Sequence, residues 1–190
     1  MTRLLRYLST NLPAIHWRQE ASLLGLFLAV AVAFQWQGGA YRSEFGGHPD
    51  EPAHYVTGLM IRDYLASGFH SGPMTYATEY YDHYPKVALG NWPPVFYLIQ
   101  AAWTLPFSPH RCSVLLLMAV LSALTAWVLF RALQRELGRN AGLFGSFLFL
   151  ALPLVRAHTG MVMTEMPVTL LAFTAVLFLA RFLERERTLD

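Results

Sequence analysis

Asp50 and Glu51 stand side by side in His48-Pro-Asp50-Glu51-Pro-Ala-His54, which gathers two carboxylates and two imidazoles within seven residues. A carboxylate at the start of a helix sits where the helix dipole favours negative charge, and at a membrane surface it is a candidate general base. The competing reading is structural, with Asp50 capping the helix and Glu51 complementing its dipole. Metal binding fits the spacing poorly: the segment is not His-Glu-x-x-His, and Glu51 with His54 supplies one Glu-x-x-His where a dinuclear site needs two. No metal site is assigned, and the histidines are expected to face solvent.

Further along, Tyr76, Tyr80, Tyr81 and Tyr84 precede Lys86, Asn91 and Trp92. Such residues suit an interfacial aromatic belt. They also suit a sugar platform, with aromatic faces on pyranose rings and Lys86 or Arg62 neutralising a phosphate. A third acid, Glu165, lies in Thr164-Glu165-Met166-Pro167 before the last apolar run. It is either a functional acid facing a cavity or a helix-start acid.

The elements that position these groups follow from composition. Of 190 residues 55% are apolar and 14% charged, too few charges to clothe a soluble globule of this size. Residues 21–41 and 112–130 carry no Asp, Glu, Lys or Arg, and each approaches the ~20 residues a helix needs to cross a bilayer. Cys112 is the single cysteine, so neither a disulfide framework nor a multi-cysteine metal site is available. A net charge of +2 is too small for a polyanion binder, which excludes a nucleic-acid partner.

The expected fold is an all-α integral membrane protein with four transmembrane helices, at 21–37, 112–133, 141–158 and 167–183. Residues 1–20 form a basic cytoplasmic N-terminus, 134–140 a cytoplasmic turn, 159–166 a short outer loop and 184–190 a cytoplasmic end. The long segment 38–111 carries juxtamembrane helices at about 51–66 and 93–105. Gly46-Gly47-His48-Pro49 breaks the chain before the first of these, and Gly68 stops it. Tyr55, Val56, Leu59, Met60, Tyr64 and Leu65 would form its apolar face, lying in the outer interface. The second is framed by Pro93, Pro94 and Pro106 and is too short to span.

Positive charges orient the chain. With 93–105 on the outer surface, Arg3, Arg6, Arg18, Arg131, Arg135, Arg139, Arg181, Arg185 and Arg187 are cytoplasmic, nine against five. If that segment crossed, the tally would reverse, so the positive-inside rule puts both termini in the cytoplasm and the long segment outside. The leader and first apolar run also resemble a secretory signal, but the long leader and the later spans suit a retained anchor better.

Four features in this order resemble the N-terminal part of a C-type (GT-C) glycosyltransferase, close to the protein O-mannosyltransferases and the lipid A aminoarabinose transferase. They are Asp50-Glu51 opening a helix after the first span, Asn91-Trp92-Pro93-Pro94-Val95-Phe96-Tyr97-Leu98, the turn Arg131-Ala-Leu-Gln-Arg135-Glu-Leu-Gly-Arg139, and Thr164-Glu165-Met166-Pro167. The resemblance implies a multi-pass enzyme of the plasma (inner) membrane whose active face is extracytoplasmic. It implies transfer of a sugar from a polyprenyl-phosphate donor to a glycan, lipid or protein acceptor, with inversion. Asp50 would be the general base, Glu51 its neighbour in the catalytic pair, and Glu165 the second outer acid, commonly Asp in relatives. A cation should offset the lipid phosphate; Lys86 comes first, then Arg62 and Arg156, with Tyr81, Tyr84, Asn91 and Trp92 lining the substrate. No cofactor is required, although a divalent cation is compatible with the site. Family members are longer, so further sequence or a second polypeptide is expected to complete the bundle.

Two other functions compete. One is a non-enzymatic membrane subunit whose outer segment docks a protein. The other is a metal-dependent membrane enzyme built on His48, Asp50, Glu51 and His54.

Overall fold

The structure, a computed structural model, describes residues 17–45, 48–88, 90 and 92–187, with side chains as far as residue 183. Arg3, Arg6, Asn91 and the side chains of Arg185 and Arg187 therefore lie outside the described residues. Among those described, the chain forms eight helices and no strand: α1 (Trp17–Gln37), α2 (Glu51–Ala66), α3 (Pro73–His83), α4 (Val95–Thr104), α5 (Arg111–Leu137), α6 (Arg139–Ala151), α7 (Pro153–Thr159) and α8 (Glu165–Arg187).

Helices α1, α5 and α8 are long and apolar enough to cross a membrane. The expected single span over 141–158 is instead two helices, α6 and α7, bent by 65°. The cause is local. Pro153 clashes with a helical residue before it and lacks the amide that would continue the ladder, so Leu152 is extended at φ −57, ψ 132. The two helices make a fourth crossing if the bent pair is one span. The expected turn over 134–140 contracts to Gly138, whose φ of +89 suits glycine and lets α6 start at Arg139.

Helix α5 is the centre of the bundle and packs against α1, α4, α6, α7 and α8. Its buried residues include Val114, Leu115, Met118, Ala123, Ala126 and Phe130. Small residues bring α6 close to it. A Cβ on Gly145 would meet Leu133 Cδ1 at 2.3 Å, and Ser146 Oγ donates to Ala126 O at 2.9 Å. Gln35 of α1 is also buried, and its Nε2 donates to the carbonyls of Leu115 and Thr159, both at 2.7 Å. Away from these contacts, α6, α7 and α8 expose large apolar side chains such as Phe144, Leu154 and Phe178, as lipid-facing helices do.

Between α1 and α5 the chain builds a cap from α2, α3 and α4, at the end of the bundle where α5 and α8 begin. Helix α4 has 10 residues, about 15 Å of length, half of a hydrocarbon core. Helix α3 occupies part of the segment that the sequence reads as an aromatic polar loop. Pro73 at its first turn and an exposed face of Thr75, Thr78, Glu79 and Asp82 allow it to form against α2, burying only Ala77.

The buried face of α2 departs from the expected apolar one. Of Tyr55, Val56, Leu59, Met60, Tyr64 and Leu65 only Met60 is fully buried, while Glu51, His54, Thr57 and Gly58 face inward. This stripe wins because each polar member finds a partner, which makes burial affordable. Thr57 Oγ1, for example, accepts from the Ala88 amide at 3.0 Å. Gly58 lets α4 approach: an added Cβ would lie 2.1 Å from Gln100 Cδ, and Gln100 Nε2 donates to Tyr55 O at 2.9 Å.

Candidate functional site

The polar stripe of α2 points at the first turn of α5 and at the segment between α7 and α8. Glu51 is fully buried, and its Oε1 accepts from Arg111 Nη2 at 2.9 Å and from the Val162 amide at 3.1 Å. Arg111 Nη1 donates to the carbonyls of Ala40 and Ser43, both at 2.8 Å, and its guanidinium lies 5.5 Å from the Phe45 ring centroid. One carboxylate and one guanidinium thus tie α2, α5, the chain after α1 and the chain before α8. The expectation that Glu51 only complements a helix dipole is corrected by this burial and pairing.

Asp50 behaves oppositely. It occupies the cap position of α2, but its backbone is helical (φ −87, ψ −16) and its side chain makes no capping hydrogen bond. The carboxylate is half-exposed and faces the His48 ring, with Oδ2 3.9 Å from Nδ1. The capping role read from sequence is therefore not taken up by its side chain. Adjacent residues at a helix start diverge by about 100°, so burying Glu51 on the clamp turns Asp50 outward.

His54, expected to face solvent, is instead buried; only His48 of the pair is exposed. His54 Nδ1 is 2.8 Å from Tyr97 Oη, and its ring packs at a tilt against Trp92 with centroids 4.3 Å apart. Burial lowers its pKa below the ordinary imidazole value, against the upward pull of the Glu165 and Asp50 carboxylates, while His48 adds to the lowering. Burial, with Asp50 adding to it, pushes the Tyr97 phenol up to about 12. A neutral imidazole hydrogen-bonded to a neutral phenol therefore sits within electrostatic reach of both acids.

Glu165 opens α8, and its Oε2 approaches His158 Nδ1 at 3.5 Å, just outside hydrogen-bond geometry. Glu165 lies three residues beyond Val162, so the amide held by Glu51 also fixes the segment that carries this acid.

The candidate cations separate. Arg156 lines a cleft of about 570 Å³ between the end of α1 and α7, with its guanidinium over the Phe34 ring at 4.5 Å and Nη2 donating to Gln37 Oε1 at 2.9 Å. Ala40, Ser43 and Phe45 line the same cleft, so it borders the Arg111 clamp. Arg62 is paired with Asp63 at 2.7 Å and donates through Nε to Thr104 O. Lys86 is exposed and has no polar partner among the described residues. Tyr81 and Tyr84 are exposed on and just after α3. Tyr84 ends a run of rings through Tyr80, Tyr76 and Tyr64, with neighbouring centroids 4.8–5.8 Å apart. Trp92 packs on His54 rather than lying in a belt.

Among the described residues no group of three His, Cys, Asp or Glu side chains is placed to hold a metal ion. His48, Asp50, Glu51 and His54 diverge, the last two toward Arg111 and Tyr97. Sequence reasoning passed over Arg111 and Tyr97. One signal for Arg111 existed: a cation in the first turn of a helix opposes the dipole and needs compensating acceptors.

The family described as dolichyl-phosphate-mannose-protein mannosyltransferase matches residues 91–190. The match takes in Trp92, Arg156 and Glu165, while Asp50 and Glu51 precede it. Comparison with curated proteins and with solved structures finds no match.

Proposed function

The chain belongs to the dolichyl-phosphate-mannose-protein mannosyltransferase family, a family of membrane glycosyltransferases, and from that premise we propose that Asp50 is its general base. Sugar would pass from a polyprenyl-phosphate donor to a hydroxyl on an extracytoplasmic acceptor. The acceptor oxygen attacks the anomeric carbon while Asp50 takes its proton, and the bond from that carbon to the phosphate oxygen breaks with its electron pair, leaving as lipid phosphate. Attack opposite the leaving group inverts the anomeric configuration.

The observation that carries this reading is the division between neighbouring acids. Glu51 is buried and held by Arg111, while Asp50 is half-exposed and makes no capping bond. A base must reach its proton by hydrogen bond, and Asp50 is the acid of this pair that can. Glu51 then acts as a positioning residue. Arg156 is the cation best placed for the departing phosphate, because it lines the cleft beside the clamp; Lys86 and Arg62 are the alternatives. Glu165 would orient acceptor or sugar. The topology that suits this chemistry has cytoplasmic termini, four crossings with α6 and α7 as one bent span, and the α2–α4 cap outside, in agreement with the positive-inside count.

The test compares membranes expressing wild type and Asp50→Asn for transfer of mannose from a polyprenyl-phosphate mannose donor to endogenous acceptors. Loss of a general base should lower the rate about 10²–10⁴-fold, while Asn preserves the fold because it too is tolerated at a helix start. Undiminished transfer by the variant would remove Asp50 from the mechanism. A folded, inserted wild type without transfer would favour the protein-docking subunit.

A further inference from the structure

A second cleft, of about 370 Å³, opens between α5 and α8 at the end of the bundle opposite the acids. Trp127 and Phe178 are among its apolar walls, and Arg131, Arg135 and Arg181 are its cations. These charges are unequally engaged. Arg131 Nη1 donates to Glu20 Oε1 at 2.5 Å, and Trp127 Nε1 donates to Glu20 Oε2 at 2.7 Å, so that charge is balanced. Arg135 is 11% exposed, yet its buried Nε finds no acceptor among the described residues, the Glu136 carboxylate standing 3.8 Å away. Arg181 is exposed, its guanidinium 5.9 Å from the Phe178 ring centroid.

We infer that this cleft binds the phosphodiester headgroup of an anionic phospholipid, with an acyl chain lying along the apolar wall between α5 and α8. Among the described residues at the cleft, three arginines stand against Glu136 and the Glu20 that pairs Arg131, an excess of positive charge that suits an anion. Arg135 supplies a buried N–H lacking an acceptor, and an unsatisfied donor of that kind favours an anion. The volume lies within the ~300–1,000 Å³ of small-molecule sites. Both walls are helices long and apolar enough to cross a membrane, so the cleft opens where lipid tails run and a soluble anion would leave its apolar half uncovered. Helix C-terminal ends repel anions, hence the arginines carry the attraction and their loss should weaken it. The site is independent of the sugar-transfer chemistry at the other end.

The experiment uses the full chain purified in mild detergent and offered equal amounts of phosphatidylglycerol and phosphatidylcholine, with retained lipid read by native mass spectrometry. Wild type should keep phosphatidylglycerol preferentially, and Arg135→Gln with Arg181→Gln should cut that preference about thirtyfold. The double lysine variant should keep most of it, because charge is retained while the planar fork is lost. If the double glutamine variant fails to fold, Arg181→Gln alone, at an exposed position, should still lower the preference about fivefold. Equal retention of the two lipids by wild type would overturn the inference. So would unchanged preference in a folded glutamine variant, or displacement of the lipid by glycerol phosphate alone, which would make the cleft a soluble-anion site.

Discussion

Replacing Arg111 by Met removes the guanidinium and keeps much of the side-chain volume. Glu51, fully buried, then loses the cation at 2.9 Å and retains the Val162 amide as a donor to Oε1. Two carbonyls, of Ala40 and Ser43, lose their donors at the same time. Removing one partner of a buried ion pair costs about 3–5 kcal/mol, because the other charge stays desolvated. For a chain of this length that amounts to a fall of about 6–20 °C in the midpoint of thermal unfolding. The companion variant, Arg111→Met with Glu51→Leu, removes both charges and should recover most of the loss, since a buried pair replaced by apolar residues is often neutral.

The assay is the temperature at which half the purified protein ceases to be monodisperse after brief heating, run for both single variants and the double. Membrane proteins seldom unfold reversibly, so this midpoint is read as kinetic stability and the order of variants is the result. The expected order is wild type, then the double variant, with both single variants lowest. If Asp50 is the base as proposed, the double variant should nevertheless remain impaired in sugar transfer, because Glu51 no longer holds the start of α2. A single variant as stable as wild type, or a double variant no better than the worse single, would refute the clamp. Arg111→Lys should rescue only partly, since one ammonium replaces a fork that here reaches three acceptors.

Two further outcomes follow from the cap. Gly58→Ala places a methyl 2.1 Å from Gln100 Cδ, so Gln100 must move and release Tyr55 O; overpacking of this kind costs about 1–3 kcal/mol, and Gln100→Ala in the same chain should restore the lost thermal stability. His54 has a folded-state pKa below its ordinary value of 6.5, chiefly through burial. Between those two values the unfolded chain holds a proton that the folded chain does not, so stability is full above about 6.5 and falls as pH drops toward the folded-state value. A His54→Gln variant should show a flatter stability profile below pH 6.5, and a profile as steep as wild type would exclude His54 as the group responsible.

The apolar spans were legible because a membrane imposes a length and a charge exclusion that survive in any one-dimensional reading. The break at Leu152 was visible in Pro153 but was outweighed by the continuous apolar run around it. Helix α3 was hidden because its residues are polar and aromatic, with no apolar stripe. Its place is set by packing on α2 through Met60, Ala77 and Val87, contacts that no local pattern encodes.

The site shows the same division more sharply. That two acids open α2 and a third opens α8 could be read from Pro52, Gly68 and Pro167, since helix starts have local signals. Which acid faces inward could not. Asp50 and Glu51 are neighbours of the same charge class, and nothing local distinguishes which of them turns toward the core. The choice rests on Arg111, 60 residues later, and on the Val162 amide, 111 residues later. An unpaired buried carboxylate is too costly to persist, so the acid that meets this cation is the one that can be buried. Arg111 is itself compelled to find acceptors, because it stands at a helix N-terminus where its charge is unfavourable. The clamp thus solves two electrostatic problems at once. It buries Glu51 and leaves Asp50 as the exposed acid of the pair, and through Val162 it fixes the chain that leads to Glu165.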